Sequence, residues 1–471
     1  MSRLVVVSNR VARPEALSSG AQGGLAVGVL AAMAEAGGLW FGWSGKIENR
    51  PTSEIKEERK NNIDFVTINL RQNEYNNFYL GYSNNVIWPL FHQRPDLMNY
   101  KHHYRMGYEG VNRKYVNKLL PYLKPDDVIW IHDYQLIPMA KMLREAGVTS
   151  PIGFFLHTPF PAYDSLRALP NYQDMLIEML HYDLLGFHTK IDEFNFTQSI
   201  SMGLDGCISQ SHLINCHGHE TQTGVYPIGI ETDDLLQLAE KGKKSKEYQQ
   251  VKAELGDRKL IIGVDRLDYS KGIFHRFQSY DQMLKNHSEL RRKQVYMQVA
   301  PTSRGDVKAY SQLAKQVEQA AGHVNGTHAD FDWTPIRYIN RGFRRNTIMA
   351  LYNLSHVGFV TPLRDGMNLV AKEFVAAQDP DDPGVLILSE MAGASAELEA
   401  ALIVNPYDTE AVAETLAQAM QMPLDERIDR WKKMMAVLRQ NDIHAWQKNF
   451  RQDLKAHPHN IEANSDLTLV E

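Results

Sequence analysis

Short apolar runs bounded by turn residues recur along the whole chain. In the first half they fall at 4–8, 128–132, 152–157, 184–187 and 225–230; in the second half at 260–264, 295–299, 336–339, 357–360, 385–388 and 402–404. The runs are continuous rather than alternating, which suits strands covered on both faces of a parallel sheet. Amphipathic stretches such as 115–123 and 346–354 lie between them. Repeated strand–helix–strand order predicts an α/β protein with right-handed crossovers.

The chain has 471 residues, and a single core rarely grows past ~250–300 residues, so two domains are expected. The pattern breaks after Val225-Tyr226-Pro227-Ile228-Gly229-Ile230. A polar run from Glu240 to Glu247 follows, and Leu260-Ile261-Ile262-Gly263-Val264 opens a second alternating series. The expected domains are Rossmann-like units at 1–235 and 236–450, with 451–471 as a helix end and frayed tail. Ligands of such sheets bind at the carboxyl ends of the strands, so the expected site is an interdomain cleft faced by both sheets.

Composition narrows the function. The formal charge of -5 offers no global basic field for nucleic acid. No apolar stretch approaches the ~20 residues of a membrane helix. The apolar start of the chain is too short for a signal sequence and reads as a buried first strand. The two cysteines, Cys207 and Cys216, fit a reducing cytoplasm better than a bridge.

The candidate chemistry lies at predicted strand ends. Ser8-Asn9-Arg10 is followed by Gln22-Gly23-Gly24 at the start of an apolar helix. Backbone amides there could bind a phosphate, although a tight strand–helix turn explains the glycines as well. Asp265-Arg266-Leu267-Asp268-Tyr269-Ser270-Lys271-Gly272 follows another strand. Its Arg266 and Lys271 could neutralise a diphosphate without a metal. Arg304, in Ala300-Pro301-Thr302-Ser303-Arg304, could hold a second phosphate or sit in a plain turn. Asp365-Gly366-Met367-Asn368-Leu369-Val370-Ala371-Lys372-Glu373 leads from a strand into an apolar helix. Its first amides would face a ligand, Asp365 could accept sugar hydroxyls and Glu373 could hold a ribose diol; the alternatives are a cap and a helix-dipole partner. Trp130–Tyr134 and Leu156–Pro161 place His132, Asp133 and His157 at two further strand ends, and Trp40 and Trp88 offer aromatic surface. Cys216-His217-Gly218-His219-Glu220 fits no standard zinc spacing and reads as a surface turn, and Asp379-Pro380-Asp381-Asp382-Pro383 as an exposed acidic loop at the wrong end of its strand.

These stretches, in this order, resemble the trehalose-6-phosphate synthase family, retaining glycosyltransferases of GT-B fold. The resemblance runs from Arg3 to about Gln447. It implies transfer of glucose from a nucleotide donor, UDP-glucose, to glucose 6-phosphate, a step of trehalose biosynthesis and stress protection. The matching positions would place Arg10, Trp40, Tyr79, Trp88, Asp133 and Arg304 on the acceptor, with Arg10 and Arg304 on its phosphate. Gly23 and Gly24 would lie against the donor, Arg266 and Lys271 on its diphosphate, and Phe343 with Gly366, Met367, Asn368, Leu369, Val370, Ala371, Lys372 and Glu373 around the uridine and diphosphate. His157 and Asp365 would fix the donor glucose. The resemblance thus makes Arg266, Lys271, Asp365 and His157 the expected catalytic set. The resemblance implies no metal or other cofactor, a cytoplasmic location and a homo-oligomer, specifically a homotetramer. Thr158 and Arg344 depart from the pattern, the first at the donor-sugar wall and the second beside the base.

Three readings compete. A glucosylglycerol-phosphate synthase of the same fold would differ around Trp40, Tyr79, Trp88 and Asp133. A sugar-phosphate sensor would be free to lose Arg266, Lys271 or Glu373, and all three are present. A nicotinamide dehydrogenase would need a compact Gly-x-Gly-x-x-Gly after a strand, which neither half contains.

Overall fold

The computed structural model describes residues 2–12, 28–30, 33, 37–48, 55–210, 212–302 and 308–456. They gather into two compact units. The first holds the described residues up to Ile228 and again from Ile443 to Ala456; the second holds Gly229–Asp442.

The sheet of the first unit has ten strands: β1 (Leu4–Arg10), β2 (Gly38–Ile47), β3 (Lys56–Lys60), β4 (Ile63–Leu70), β5 (Val128–His132), β6 (Ile152–Phe155), β7 (Leu184–Phe187), β8 (Ile208–Gln210), β9 (Leu213–Cys216) and β10 (His219–Val225). Their spatial order is β3-β4-β2-β1-β5-β6-β7-β10-β9-β8. The run from β4 to β10 is parallel throughout, and only the edges are antiparallel. The order reverses between β1 and β5, which makes their carboxyl ends the switch point where such sheets bind ligands.

The second unit has six parallel strands: β11 (Lys259–Val264), β12 (Gln294–Val299), β13 (Ile336–Ile339), β14 (Val357–Val360), β15 (Val385–Ser389) and β16 (Leu402–Val404). They run β13-β12-β11-β14-β15-β16, the doubly wound order of dinucleotide-binding domains. Here the switch point lies between β11 and β14.

Most of the apolar runs became buried strands. The run at 225–230 did not, because pairing stops at Val225. Two buried strands carry weaker signals. Glycines, serine and tryptophans interrupt β2, and Asp64, Thr67 and Asn69 interrupt β4.

The expected second domain, 236–450, also ends differently. The C-terminal helix Ile443–Ala456 belongs to the first unit. Its Trp446, Phe450 and Leu454 recur every fourth residue and are buried, forming one apolar face. Two glycines receive that face. A methyl group on Gly153 of β6 would lie 2.8 Å from both Phe450 and Leu454, and one on Gly186 of β7 would lie 2.7 Å from Phe450. The Phe450 ring stacks on Trp130 of β5 at 4.7 Å, and Tyr226 donates to Asp453 at 2.7 Å.

The cysteines depart from the reduced state expected of them. Cys207 and Cys216 form a disulfide beside the β8–β9 hairpin. Among the described residues no helix is long and apolar enough to cross a membrane.

Candidate active site

In the second unit the loops after β11 and β14 are locked together. Gly272 has φ +68°, and any side chain there would sit 2.4 Å from the Thr361 carbonyl, so glycine satisfies both demands. The Leu363 amide donates to the Ser270 carbonyl at 2.7 Å. Beneath them Arg276 is fully buried. It donates to Asp265 at 2.5 Å, to the Lys271 carbonyl at 2.7 Å and to the Phe359 carbonyl of β14 at 2.8 Å. Asp268 accepts from the Ser270 amide and from Tyr310.

This scaffold brings Lys271 and Asp365 into an ion pair. Lys271 Nζ lies 2.5 Å from Asp365 Oδ2, and the two side chains are 11% and 12% exposed. Asn368 Nδ2 donates to the same carboxylate oxygen at 2.9 Å. Arg266, on the same loop as Lys271, is exposed.

The helix Leu369–Ala376 starts beside this pair. Asn368 is its cap, in a left-handed conformation at φ 65°, and accepts from the Ala371 amide at 3.2 Å. The amides of Leu369 and Val370 belong to the first turn, where helical geometry supplies no carbonyl partner. They form the positive end that favours an anion. Gly366 and Met367 are buried, and their carbonyls accept from Gly393 and Ala394. One turn in, Glu373 meets Arg345 at 3.2 Å. Burial pushes its carboxyl pKa up, against the pull of that arginine. Phe343 is half-buried under the Arg341 guanidinium, 5.1 Å from the ring centre.

Lys372 needs correcting as a donor ligand. Its side chain is 0% exposed and pairs with Glu397 at 2.5 Å. Glu397 also accepts from Asn441 at 2.8 Å. The ammonium therefore points into the protein, where it ties the helix to the Gly393–Ala396 turn region.

In the first unit, the polar residues at the ends of β1, β5 and β6 are held by their own sheet. Arg10 is exposed at the end of β1; a methyl group on Gly45 would lie 2.7 Å from its Nε. Asp133, after β5, has φ 77° and ψ 164°, a conformation that costs a non-glycine residue about 1–3 kcal/mol and clusters at functional sites. Its amide donates to the Phe155 carbonyl at 2.8 Å, and its carboxylate accepts from the His157 amide at 3.2 Å. His157 follows β6. Its Nε2 lies 3.1 Å from Nδ1 of His132, and its ring neighbours His188 at 5.4 Å and Trp446 at 6.1 Å. Burial, then the neighbouring histidines, push the pKa of His132 and His157 well below 6.5.

Tyr79 is half-buried on a π-helix, Tyr75–Ile87, between Trp43 and Tyr75. Trp88 opens the next turn and packs on His92 and Tyr134. Trp40 is a correction. It is 1% exposed within β2, and its indole N–H donates to Ser8 at 2.8 Å. It supports the end of β1 from within the core and offers no ring face to a sugar. Gly23, Gly24 and Arg304 lie outside the described residues.

The site also contains residues to which no function had been attached in the sequence. His132 and Trp130 stood in a quoted strand-end stretch, but nothing in sequence paired them with His157 and Trp446. Arg276 and Arg345 look like solvated helix residues until the fold turns them inward. The stretches read as a surface turn and an acidic loop have structural partners. Asp382 pairs with Arg427 at 2.7 Å. Cys207, Cys216 and His217 have ligand-type atoms within 4.8 Å of one another, with both sulfurs in the disulfide.

Known proteins share this arrangement. An alpha,alpha-trehalose-phosphate synthase (UDP-forming) from Burkholderia xenovorans, in complex with glucose-6-phosphate, superposes with a TM-score of 0.93 at 46% identity, covering 96% of this chain and 100% of that one. An E. coli structure bound with UDP-2-fluoro glucose superposes at 0.92, with 47% identity and coverage of 96% and 99%. The trehalose-6-phosphate synthase of Cronobacter sakazakii is 48% identical over 455 residues, 97% of this chain and 95% of that relative. Two doubly wound units with these strand-end loops define a glycosyltransferase of GT-B architecture. Within that class, residues 3–456 match the model of Glycosyltransferase family 20, and the chain belongs to that family.

Proposed function

We propose that the protein transfers glucose from UDP-glucose to glucose 6-phosphate with retention, giving α,α-trehalose 6-phosphate and UDP. The observation that carries this reading is the Lys271–Asp365 pair across the β11/β14 switch point, in a chain of this family. A diphosphate placed there takes over Lys271 and meets Arg266 and the amides that open the helix Leu369–Ala376. Asp365, released from Lys271, accepts hydroxyls of the donor glucose, and Glu373 holds the ribose. Charge grows on the diphosphate as the glycosidic bond breaks, and fixed cations and dipoles stabilise it most at that moment. Arg10, in the first unit, takes the acceptor phosphate, and Arg304 is its second cation. Asp133, Tyr79 and Trp88 surround the acceptor sugar, and His157 binds a donor hydroxyl. Gly23 and Gly24 approach the donor.

In this reading no metal is needed, since Arg266, Lys271 and the helix terminus supply the positive charge. The cytoplasmic location and the homo-oligomeric state, a homotetramer, rest on the family resemblance alone; light scattering of the purified protein tests the latter. The deciding experiment is product analysis with UDP-, ADP- and GDP-glucose, each with and without glucose 6-phosphate and after EDTA treatment. Trehalose 6-phosphate formed from UDP-glucose, undiminished by EDTA, is the expected result. Turnover of another acceptor in preference to glucose 6-phosphate overturns the acceptor, and loss restored by Mg²⁺ overturns the metal-free mechanism.

A further inference from the structure

Among the fully buried polar groups at the strand ends is His132, for which the proposed reaction has no task. It ends β5 with 0% exposure. Trp130 packs on one side at a ring distance of 4.6 Å, and Trp446 of the C-terminal helix lies at 6.3 Å. One of its nitrogens, Nδ1, reaches His157 Nε2 at 3.1 Å. The other, Nε2, is buried with no hydrogen-bond partner among the described residues.

Two neutral imidazoles can share one hydrogen bond in either direction. If His157 Nε2 carried the proton, His132 Nδ1 would accept it and the His132 proton would sit on Nε2, an N–H buried among indole rings. A buried donor without a partner is rarer in proteins than a buried acceptor without one. The opposite arrangement leaves only a lone pair at that position. Protonation of either ring is disfavoured, because burial and the neighbouring histidine both favour the neutral form, and the Asp133 carboxylate accepts from the His157 backbone amide.

We propose that His132 is a positioning residue that donates its Nδ1–H to His157 Nε2 and thereby fixes His157 as the Nδ1–H tautomer. His157 then presents a hydrogen-bond donor, not an acceptor, to the sugar. The oxygen it selects is one with a free lone pair, such as a hydroxyl that donates its own proton elsewhere. The donor role toward the sugar rests on the reading of His157 given above; the tautomer does not.

The two are tested separately. In 15N-histidine-labelled protein at neutral pH, with the His157 signals assigned by their loss in His157→Asn, the imidazole nitrogens report the tautomer directly. The expected result is a protonated Nδ1 and a bare Nε2 at His157. His132→Gln, whose amide cannot occupy the Nδ1 position, releases His157 toward the Nε2–H form that free imidazoles prefer. His132→Asn, whose amide nitrogen replaces Nδ1, restores Nδ1–H. A protonated Nε2 at His157 in the unsubstituted protein overturns the proposal without any variant having to fold. Kinetics probe the sugar contact. His132→Gln should lower kcat/KM for the donor by about five- to tenfold, the loss of one neutral hydrogen bond, and His132→Asn should recover most of it. A correct tautomer with unchanged kinetics in His132→Gln rejects the sugar contact and leaves the tautomer assignment standing.

Discussion

At the β11/β14 switch point Lys271 and Asp365 face each other across 2.5 Å, with Asn368 on the same carboxylate and the exposed Arg266 on the same loop. At the β1/β5 switch point the groups after β5 and β6 are a strained aspartate and two histidines kept neutral by burial, backed by Trp130 and Trp446. Both are the same place in the same topology. In the proposed reaction the first would neutralise a diphosphate, which fixed cations do without reorganising. The second gathers two neutral imidazoles beside one carboxylate, Asp133, which accepts from the His157 amide at 3.2 Å; in the proposed reaction it meets the uncharged hydroxyls of a sugar, which ask for donors and acceptors rather than for an excess of charge. Arg10, exposed at the end of β1, is the cationic exception.

The comparison fails first if charge in the second unit is structural rather than functional, and two lysines separate these cases. Lys372 is the buried one. Lys372→Met removes one partner of a buried pair and should cost about 3–5 kcal/mol of stability, read as a lower denaturation midpoint. An unchanged midpoint with lost donor binding would return Lys372 to the ligand set. Lys271 is the ligand-facing one. Lys271→Ala should lower kcat by about 10²–10³; it also opens a largely buried pair with Asp365, so a smaller stability loss than that of Lys372→Met is expected, and kcat is read on protein shown to be folded by a thermal melt. Near-normal kcat would show that this lysine does not stabilise the leaving group.

The first unit offers two finer tests. Arg10→Ala should raise KM for glucose 6-phosphate roughly ten- to a hundredfold, with donor KM little altered; a collapse of donor affinity instead would reassign Arg10. The smallest effect concerns His132. Its folded pKa lies below its unfolded value of about 6.5, so below that pH the unfolded chain binds a proton that the folded one does not. The stability this neutral histidine contributes is complete above pH ~6.5 and is lost as pH falls, with a slope approaching ~1.4 kcal/mol per pH unit. Urea unfolding between pH 7.5 and 5.5 should be less steep in pH for His132→Asn than for the parent chain. Equal slopes would mean that His132 is charged in the folded state.

Much of this was legible in sequence. Val128–His132, Leu184–Phe187 and Val357–Val360 are buried strands at the very residues their apolar runs marked, because a strand covered on both faces must be largely apolar; Ile336–Ile339 is also a strand where marked, but it is the half-buried edge of its sheet and carries Arg337. Arg266, Lys271 and Asp365 lie in loops after strands, as their positions in the chain predict, and Glu373 lies in the helix that follows; their ligand roles belong to the proposed function. Less visible were β2 and β4, whose polar and aromatic residues obscure the run, and the C-terminal helix, whose partners Gly153 and Gly186 lie roughly 260 to 300 residues away in the chain.

Periodicity and strand-end position are local properties, so two mainly parallel α/β units and the loops that carry the charged residues can be read along the chain. What each charge does depends on packing between segments far apart in it. Lys271 and Lys372 are both lysines near one helix start, and each pairs with a carboxylate at 2.5 Å. One remains partly exposed beside a helix terminus and the other is sealed inside. That difference depends on which carboxylate, Asp365 or Glu397, the fold brings within reach, and on how much water the surrounding side chains leave there.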